Sequence, residues 1–269
     1  MDSKFVIKNG KLIEKEKASV SVYNKSLFFD FAVYSNIKVV KGKMFMPEMS
    51  VEKLFDSAKV IGIEHDFSKK KILDWARLLI KKNHVNDALI KMLLIGPEKN
   101  TEPLLFLFPV GLTFYPSKFY NQGVKLITFE GERFIPVSKN KNLLLNYTAF
   151  REAKNNDAID ALLVDNEGNI QEGTRSSFFV IKNNTLIAPP KEKVLEGVTR
   201  KIILEIASKV MKVKEENIPL KKIKQYDEYL ITGTSLKVMP VKQIDDISLR
   251  VGEKVKELQR LFKEYCEKN

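Results

Sequence analysis

The chain has a single cysteine, Cys266, among 269 residues. That excludes an intramolecular disulfide and leads us to expect a reducing compartment, the cytoplasm. Histidine is nearly as scarce. His65 and His84 stand apart from each other and from the cysteine, so no ligand spacing for a metal ion exists and none is expected. No run of about 18 apolar residues is present, so no transmembrane helix and no membrane partner are expected. The first 20 residues mix both charges and alternate like a strand, which is unlike a signal peptide. Acidic residues are the minority sign. Lys and Arg number 46 against 34 Asp and Glu, a net charge of +12. The lysines fall in short clusters (Lys69 to Lys71, Lys221 to Lys224) mixed with acids and without interleaved aromatics, so a nucleic-acid partner is not expected. The positive field instead favours phosphate groups and carboxylate substrates.

What is present is a 44% hydrophobic composition over a length that suits one large or two modest domains. Residues 5–8 and 11–14 read as a hairpin around Asn9-Gly10. Leu27 to Val40 is apolar and β-prone, and Lys41-Gly42-Lys43 turns it into a short strand. Residues 50–61 have helical spacing with Val51, Leu54, Ala58 and Ile61 on one face. Ser68 caps a second helix to about Lys82, with Ile72, Trp75, Leu79 and Ile80 apolar. Residues 88–95 and 103–110 read as buried strands. These form an expected small α+β domain, 1–112. An interdomain connection is expected at 113–122 and a larger domain at 123–269. In the latter, strands are expected at 124–129, 162–165, 177–181, 185–188 and 229–232. Helices are expected at 199–210 and from about 252 to 265.

The most informative stretch runs from Gly168 to Arg200. Gln171-Glu172-Gly173 puts a carboxylate in a Gly-flanked turn. A polar run from Thr174 to Ser177 leads into an apolar strand, a break follows at Pro189-Pro190, and Leu195-Glu196-Gly197-Val198-Thr199-Arg200 opens an amphipathic helix. The first N–H groups of a helix lack internal partners and its dipole favours an anion there. Alone, Glu172 reads as a solvated turn residue and Gly197-Val198-Thr199 as an ordinary N-cap. Their order along the chain is what gives them meaning.

That order resembles the fold-type IV pyridoxal-phosphate (PLP) enzymes: branched-chain aminotransferases, D-amino acid aminotransferases and aminodeoxychorismate lyase. Their E-G/A-x-x-S-N turn and strand, TP dipeptide and L-x-G-I-T-R are matched here by E-G-T-R-S-S-F-F, A-P-P and L-E-G-V-T-R. The resemblance implies an α+β, two-domain fold with a β-barrel-like core in the larger domain. It also implies a homodimer, PLP as cofactor, and transamination between an amino acid and a 2-oxo acid. The alternatives are a lyase like aminodeoxychorismate lyase, or a member of the fold that binds PLP without turnover.

The resemblance also implies roles for residues. Lys139, with Asn142 and Asn146 following at the family spacing, matches the lysine that forms the Schiff base; Lys141 does not fit that register. Glu172 matches the acid facing the pyridine nitrogen, and Ser177 stands where the family has Asn. Leu195 matches the residue on the ring face. Gly197, Val198 and Thr199, together with Gly233 and Thr234, match the phosphate cup. In Ser50-Val51-Glu52-Lys53-Leu54-Phe55-Asp56-Ser57, Lys53 occupies the position of the phosphate-binding arginine, with charge kept and the bidentate fork lost. In Phe29-Asp30-Phe31-Ala32-Val33-Tyr34-Ser35 the family glycines are gone, and Tyr34 matches an aromatic pocket position. Lys91, in Leu89-Ile90-Lys91-Met92-Leu93, replaces the arginine of the branched-chain signature.

Overall fold

The computed structural model describes residues 3–99 and 101–268. It divides into two compact units, residues 1–113 with 138–142, and residues 114–137 with 143–269.

The first unit is one six-stranded sheet with its two long helices on one face. Its elements are β1 (Phe5–Lys8), β2 (Lys11–Glu14), α1 (Lys25–Phe28), β3 (Ala32–Val40), β4 (Lys43–Phe45), α2 (Pro47–Val60), α3 (Lys69–Lys82), β5 (Ala88–Ile95) and β6 (Leu104–Gly111). The strands lie in the order β2-β1-β6-β5-β3-β4. The expected hairpin forms with Phe5 opposite Glu14, and its turn residues Asn9 and Gly10 both take positive φ. Alternation along β3 sends Val33, Ile37 and Val39 into the core beneath Val51, Leu54 and Ala58 of α2 and Ile72, Ala76 and Leu79 of α3. The Ser68 side chain caps α3 by accepting from the Lys71 amide. Residues 25–28 depart from the strand expected at 27–40. The Asn24 side chain accepts from the Leu27 N–H at 2.7 Å and starts a helical turn.

The second unit is built on a closed ring of strands. Its elements are α4 (Ser117–Gln122), β7 (Val124–Glu130), α5 (Leu144–Asn155), β8 (Asp160–Val164), β9 (Asn169–Gly173), β10 (Ser177–Lys182), β11 (Thr185–Ala188), α6 (Val198–Ala207), β12 (Lys212–Glu215), β13 (Ile218–Pro219), β14 (Glu228–Gly233), β15 (Lys237–Ile244), β16 (Ile247–Ser248) and α7 (Glu253–Lys268). Neighbours run β10-β14-β15-β7-β8-β9, and β9 returns to pair with β10. The β15–β7 and β7–β8 pairs are parallel and the other four antiparallel. The inward side chains include Val124, Leu126, Leu162, Ile170, Phe178, Val180, Ile231 and Met239. On the outside, α5 lays Ala149 and Ala153 against Ile127, Ala161 and Leu163. The barrel-like core implied by the family resemblance is therefore present.

Two boundaries differ from the sequence reading. Residues 117–122, expected as connection, form α4 in the second unit. Residues 138–142, expected in the larger domain, belong to the first. The reason for the second is hydrogen bonding: the Tyr34 N–H donates to the Lys139 carbonyl and the Lys141 N–H to that of Ala32, both at 2.9 Å. The segment thus extends the pairing of β3, with Asn140 opposite Val33.

Gly10 tests this packing. Its φ is +82°, and a Cβ there would lie 2.6 Å from the indole of Trp75. Gly10→Ala should destabilise the protein by about 1–3 kcal/mol through backbone strain and overpacking, read as a shift in urea midpoint.

Candidate active site

In the first unit the chemistry gathers on the sheet face opposite the helices. Side chains of a strand alternate between faces, so Tyr34 and Lys91 lie away from the core that holds Val33, Ile37, Ile90 and Met92. The Nζ atoms of Lys91 and Lys139 each stand 5.1 Å from the centroid of the Tyr34 ring. One phenol thus contacts both cations, an attraction that strengthens away from water. Burial holds the Lys91 pKa below the ordinary lysine value. Lys53 lies on α2, partly buried. Lys141 pairs with Asp30, a non-glycine residue at φ 54° where the family carries glycine.

In the second unit Glu172 is buried, 6% exposed, and lies in β9. This corrects the expected turn. The turn follows it, closed by the Gly173 N–H donating to the Ser176 carbonyl at 2.7 Å. One Glu172 oxygen accepts from Nη1 of Arg133 at 3.0 Å, the other from the Leu195 N–H at 3.2 Å. Arg133 is as buried as its partner, with side-chain exposures of 6% and 7%. Two oxygens with these two donors leave lone pairs for a further one. Ser177 stands directly opposite Glu172 and, on its other side, opposite Thr232. The Thr232 hydroxyl is buried without a partner among the described residues.

The turn after Glu172 is organised by Asp160. Its carboxylate accepts from the hydroxyls of Thr174 and Ser176 and from the backbone of Arg175 and Ala161. Burial pushes its pKa up, opposed by the hydrogen bonds from Thr174 and Ser176. Further along, Leu195 leads to Gly197, the N-cap of α6, with Val198 and Thr199 in the first turn. No side chain among the described residues caps this helix. A Cβ on Gly197 would meet no atom within 4 Å. A helix start with uncapped N–H groups and open space before it suits a phosphate. Arg200, 1% exposed, ties the helix to the chain before it by donating to the Pro189 carbonyl at 2.9 Å and pairing with Glu215 at 3.0 Å. Gly233 ends β14 and Thr234 begins the turn into β15.

Within each unit, then, some of the expected residues come together. Lys139, Tyr34 and Lys91 meet in the first. Glu172, Ser177 and the backbone of Leu195 meet in the second. Sequence reasoning missed Arg133 and Asp160. Arg133 lies 39 positions from its partner in an irregular loop, and no local pattern marks it. Asp160 carried only the signal of a charged residue opening an apolar run.

Removing Arg133 should expose how much Glu172 depends on it. Arg133→Met leaves a buried carboxylate without its cation and should cost about 3–5 kcal/mol in urea unfolding. Combining it with Glu172→Gln should recover a large part of that loss. A double variant no more stable than Arg133→Met would remove the ion pair as the cause.

The sequence matches the amino-transferase class IV family over residues 32–244. A putative branched-chain-amino-acid aminotransferase of Methanocaldococcus jannaschii is 29% identical over 274 residues, 95% of this chain and 94% of that protein. A D-alanine aminotransferase of Staphylococcus epidermidis is 30% identical, with 96% of each chain covered. Among solved structures, the branched-chain amino acid aminotransferase of Thermobaculum terrenum in its PLP form superposes with a TM-score of 0.84 at 21% identity, covering 98% of this chain and 94% of that one. With most of its length inside the family match and both curated relatives bearing the aminotransferase name, this chain belongs to the class IV aminotransferases.

Proposed function

We propose that this aminotransferase, a PLP enzyme, uses Lys139 to hold its cofactor and to move the proton of the substrate's α-carbon between an amino acid and a 2-oxo acid. The observation that carries the proposal is the setting of Lys139. Its backbone is bonded on both sides, and its amine stands over Tyr34. When bound, PLP supplies an aldehyde that links to an amine and a ring that withdraws electrons from the α-carbon.

The residues fit that group in kind. Glu172, held by Arg133 and the Leu195 N–H, would be the acid for the pyridine nitrogen, and the Leu195 side chain would pack against the ring. Ser177, beside Glu172 in the ladder, supports it. The N–H groups from Gly197 to Thr199, the Thr199 hydroxyl and the Gly233-Thr234 turn would hold the phosphate, with Lys53 to supply a counter-charge. Tyr34 and Lys91 meet the substrate. Lys91, a cation on an otherwise apolar strand, is suited to a carboxylate of the amino acid or 2-oxo acid. The curated relatives point to branched-chain amino acids or D-alanine as donors, and their names leave no need for the lyase alternative. A cytoplasmic enzyme is consistent with the lone cysteine. Among the described residues no helix is long and apolar enough to cross a membrane, and no His, Cys, Asp and Glu group suits a metal.

A homodimer is part of the proposal. Val22, Tyr23, Phe28 and Phe29 precede β3, and Tyr23 and Phe28 are 90% and 79% exposed. Apolar side chains clustered in one exposed segment mark an interaction surface, and a two-fold contact is the commonest way to cover one.

Two measurements follow. Lys139→Ala should leave no borohydride-fixable PLP adduct, while Lys141→Ala retains it; the reverse pattern would reassign the lysine, and no adduct in the wild type would favour a fold without turnover. In sedimentation equilibrium the protein with PLP should behave as a dimer, and Phe28→Ser with Phe29→Ser should shift it toward monomer. An unmodified protein that is monomeric and still transaminates would rule out a dimer as a requirement.

A further inference from the structure

We infer that Ser57 is the positioning residue for Lys139, coupling it to the helix that carries Lys53. The inference rests on the assignment of Lys139 above.

Ser57 lies in the last turn of α2 and, like Ser138, is 0% exposed. A serine in a helix can turn its hydroxyl back to the carbonyl one turn earlier. Here the Ser57 hydroxyl donates to the carbonyl of Lys53 at 2.6 Å. Its proton is thereby committed, so toward Lys139 the oxygen accepts. The Lys139 N–H donates to it at 3.0 Å. The carbonyl of Ser57 belongs to the last four of the helix, which lack intrahelical donors. The N–H groups beyond the helix go elsewhere, that of Ile61 to Lys59 and that of Ile63 to Ala58. The Ser138 hydroxyl fills the vacancy, donating to the Ser57 carbonyl at 3.1 Å.

One serine therefore receives two consecutive residues, 138 and 139, through its side chain and its carbonyl. On the other side of the segment β3 takes the Lys139 carbonyl. The two peptide groups of Lys139 are held by different elements, which leaves its side-chain torsions as its main freedom. Lys53 and Ser57 lie one helical turn apart, so α2 fixes the cation and the lysine against one another.

Amide hydrogen exchange of the protein without cofactor tests the bond directly. Ser57→Ala should accelerate exchange at Lys139 by roughly tenfold, the worth of one net hydrogen bond. Exchange in the β1–β2 hairpin should stay the same. In the holoenzyme, kcat should fall by about tenfold or more, because a displaced reacting group is costly, while KM for the amino donor is unchanged. The rate at which the cofactor-free variant forms its covalent PLP linkage should fall in parallel. A purely structural serine would lower thermal stability without that split between kcat and KM. Should Ser57→Ala fail to fold, Ser57→Cys gives the same readings, keeping nearly the same volume with a weaker acceptor. Unchanged exchange at Lys139 and an unchanged linkage rate in a folded variant would overturn the inference. A failure of the Lys139 assignment itself would show separately, as borohydride fixation at another lysine of the unmodified protein.

Discussion

The second unit depends on one short pairing, Glu172 opposite Ser177, where β9 meets β10. It converts a row of strands into a ring and leaves neither β9 nor β10 as an open edge there. It also sets the position of a buried carboxylate, because Glu172 belongs to the closing pair. The turn between the two strands is tight: a Cβ on Gly173 would lie 2.6 Å from the Asp160 carboxylate. Asp160 then gathers the hydroxyls and amides of residues 174–176. A buried charge is costly unless it finds hydrogen-bond partners; Asp160 finds them within the turn, and Glu172 in Arg133 and the Leu195 N–H. Ring closure and placement of Glu172 are thus one event.

In the first unit the organising constraint is the division of a sheet into two faces. The period of two sends every second residue of β3 and β5 beneath α2 and α3 and leaves Tyr34 and Lys91 on the other side. Residues 138–142 extend β3 and bring a second lysine to the same phenol. Half-burying an ammonium group costs solvation. The negative face of the Tyr34 ring offsets part of that cost, and burial lowers the Lys91 pKa.

The departures from the family pattern have local physical accounts. Asp30 sits at φ 54°, which disfavours a residue with a Cβ but is reached more easily by Asp and Asn than by most. Its carboxylate gains the ammonium of Lys141 in return. Ala32 stands at the second glycine position, and beside it the bulky Phe31 places its ring against Gly96, whose missing side chain makes the room. Lys53 keeps a positive charge on α2 in place of arginine, and its carbonyl accepts the Ser57 hydroxyl.

Local order was written in the chain. The Asn9-Gly10 hairpin, the apolar faces of α2 and α3, the Ser68 cap and the helix opening at Gly197-Val198-Thr199 follow from periodicity and short-range hydrogen bonding. Neighbouring residues decide these on their own. The candidate residues Lys139, Glu172, Gly197 and Thr199 were legible because their spacing repeats a known order. Tertiary structure decided what lies between them. Arg133 finds Glu172 across 39 residues and Ser57 finds Lys139 across 82. The strand character of Glu172 comes from a ring that closes only when six segments are in place, and the first-unit membership of 138–142 comes from pairing with β3 more than a hundred positions earlier. Such contacts leave no periodic trace. A hydrogen bond or ion pair needs only one suitable group at each end, and which two groups meet is fixed by the packing of everything else.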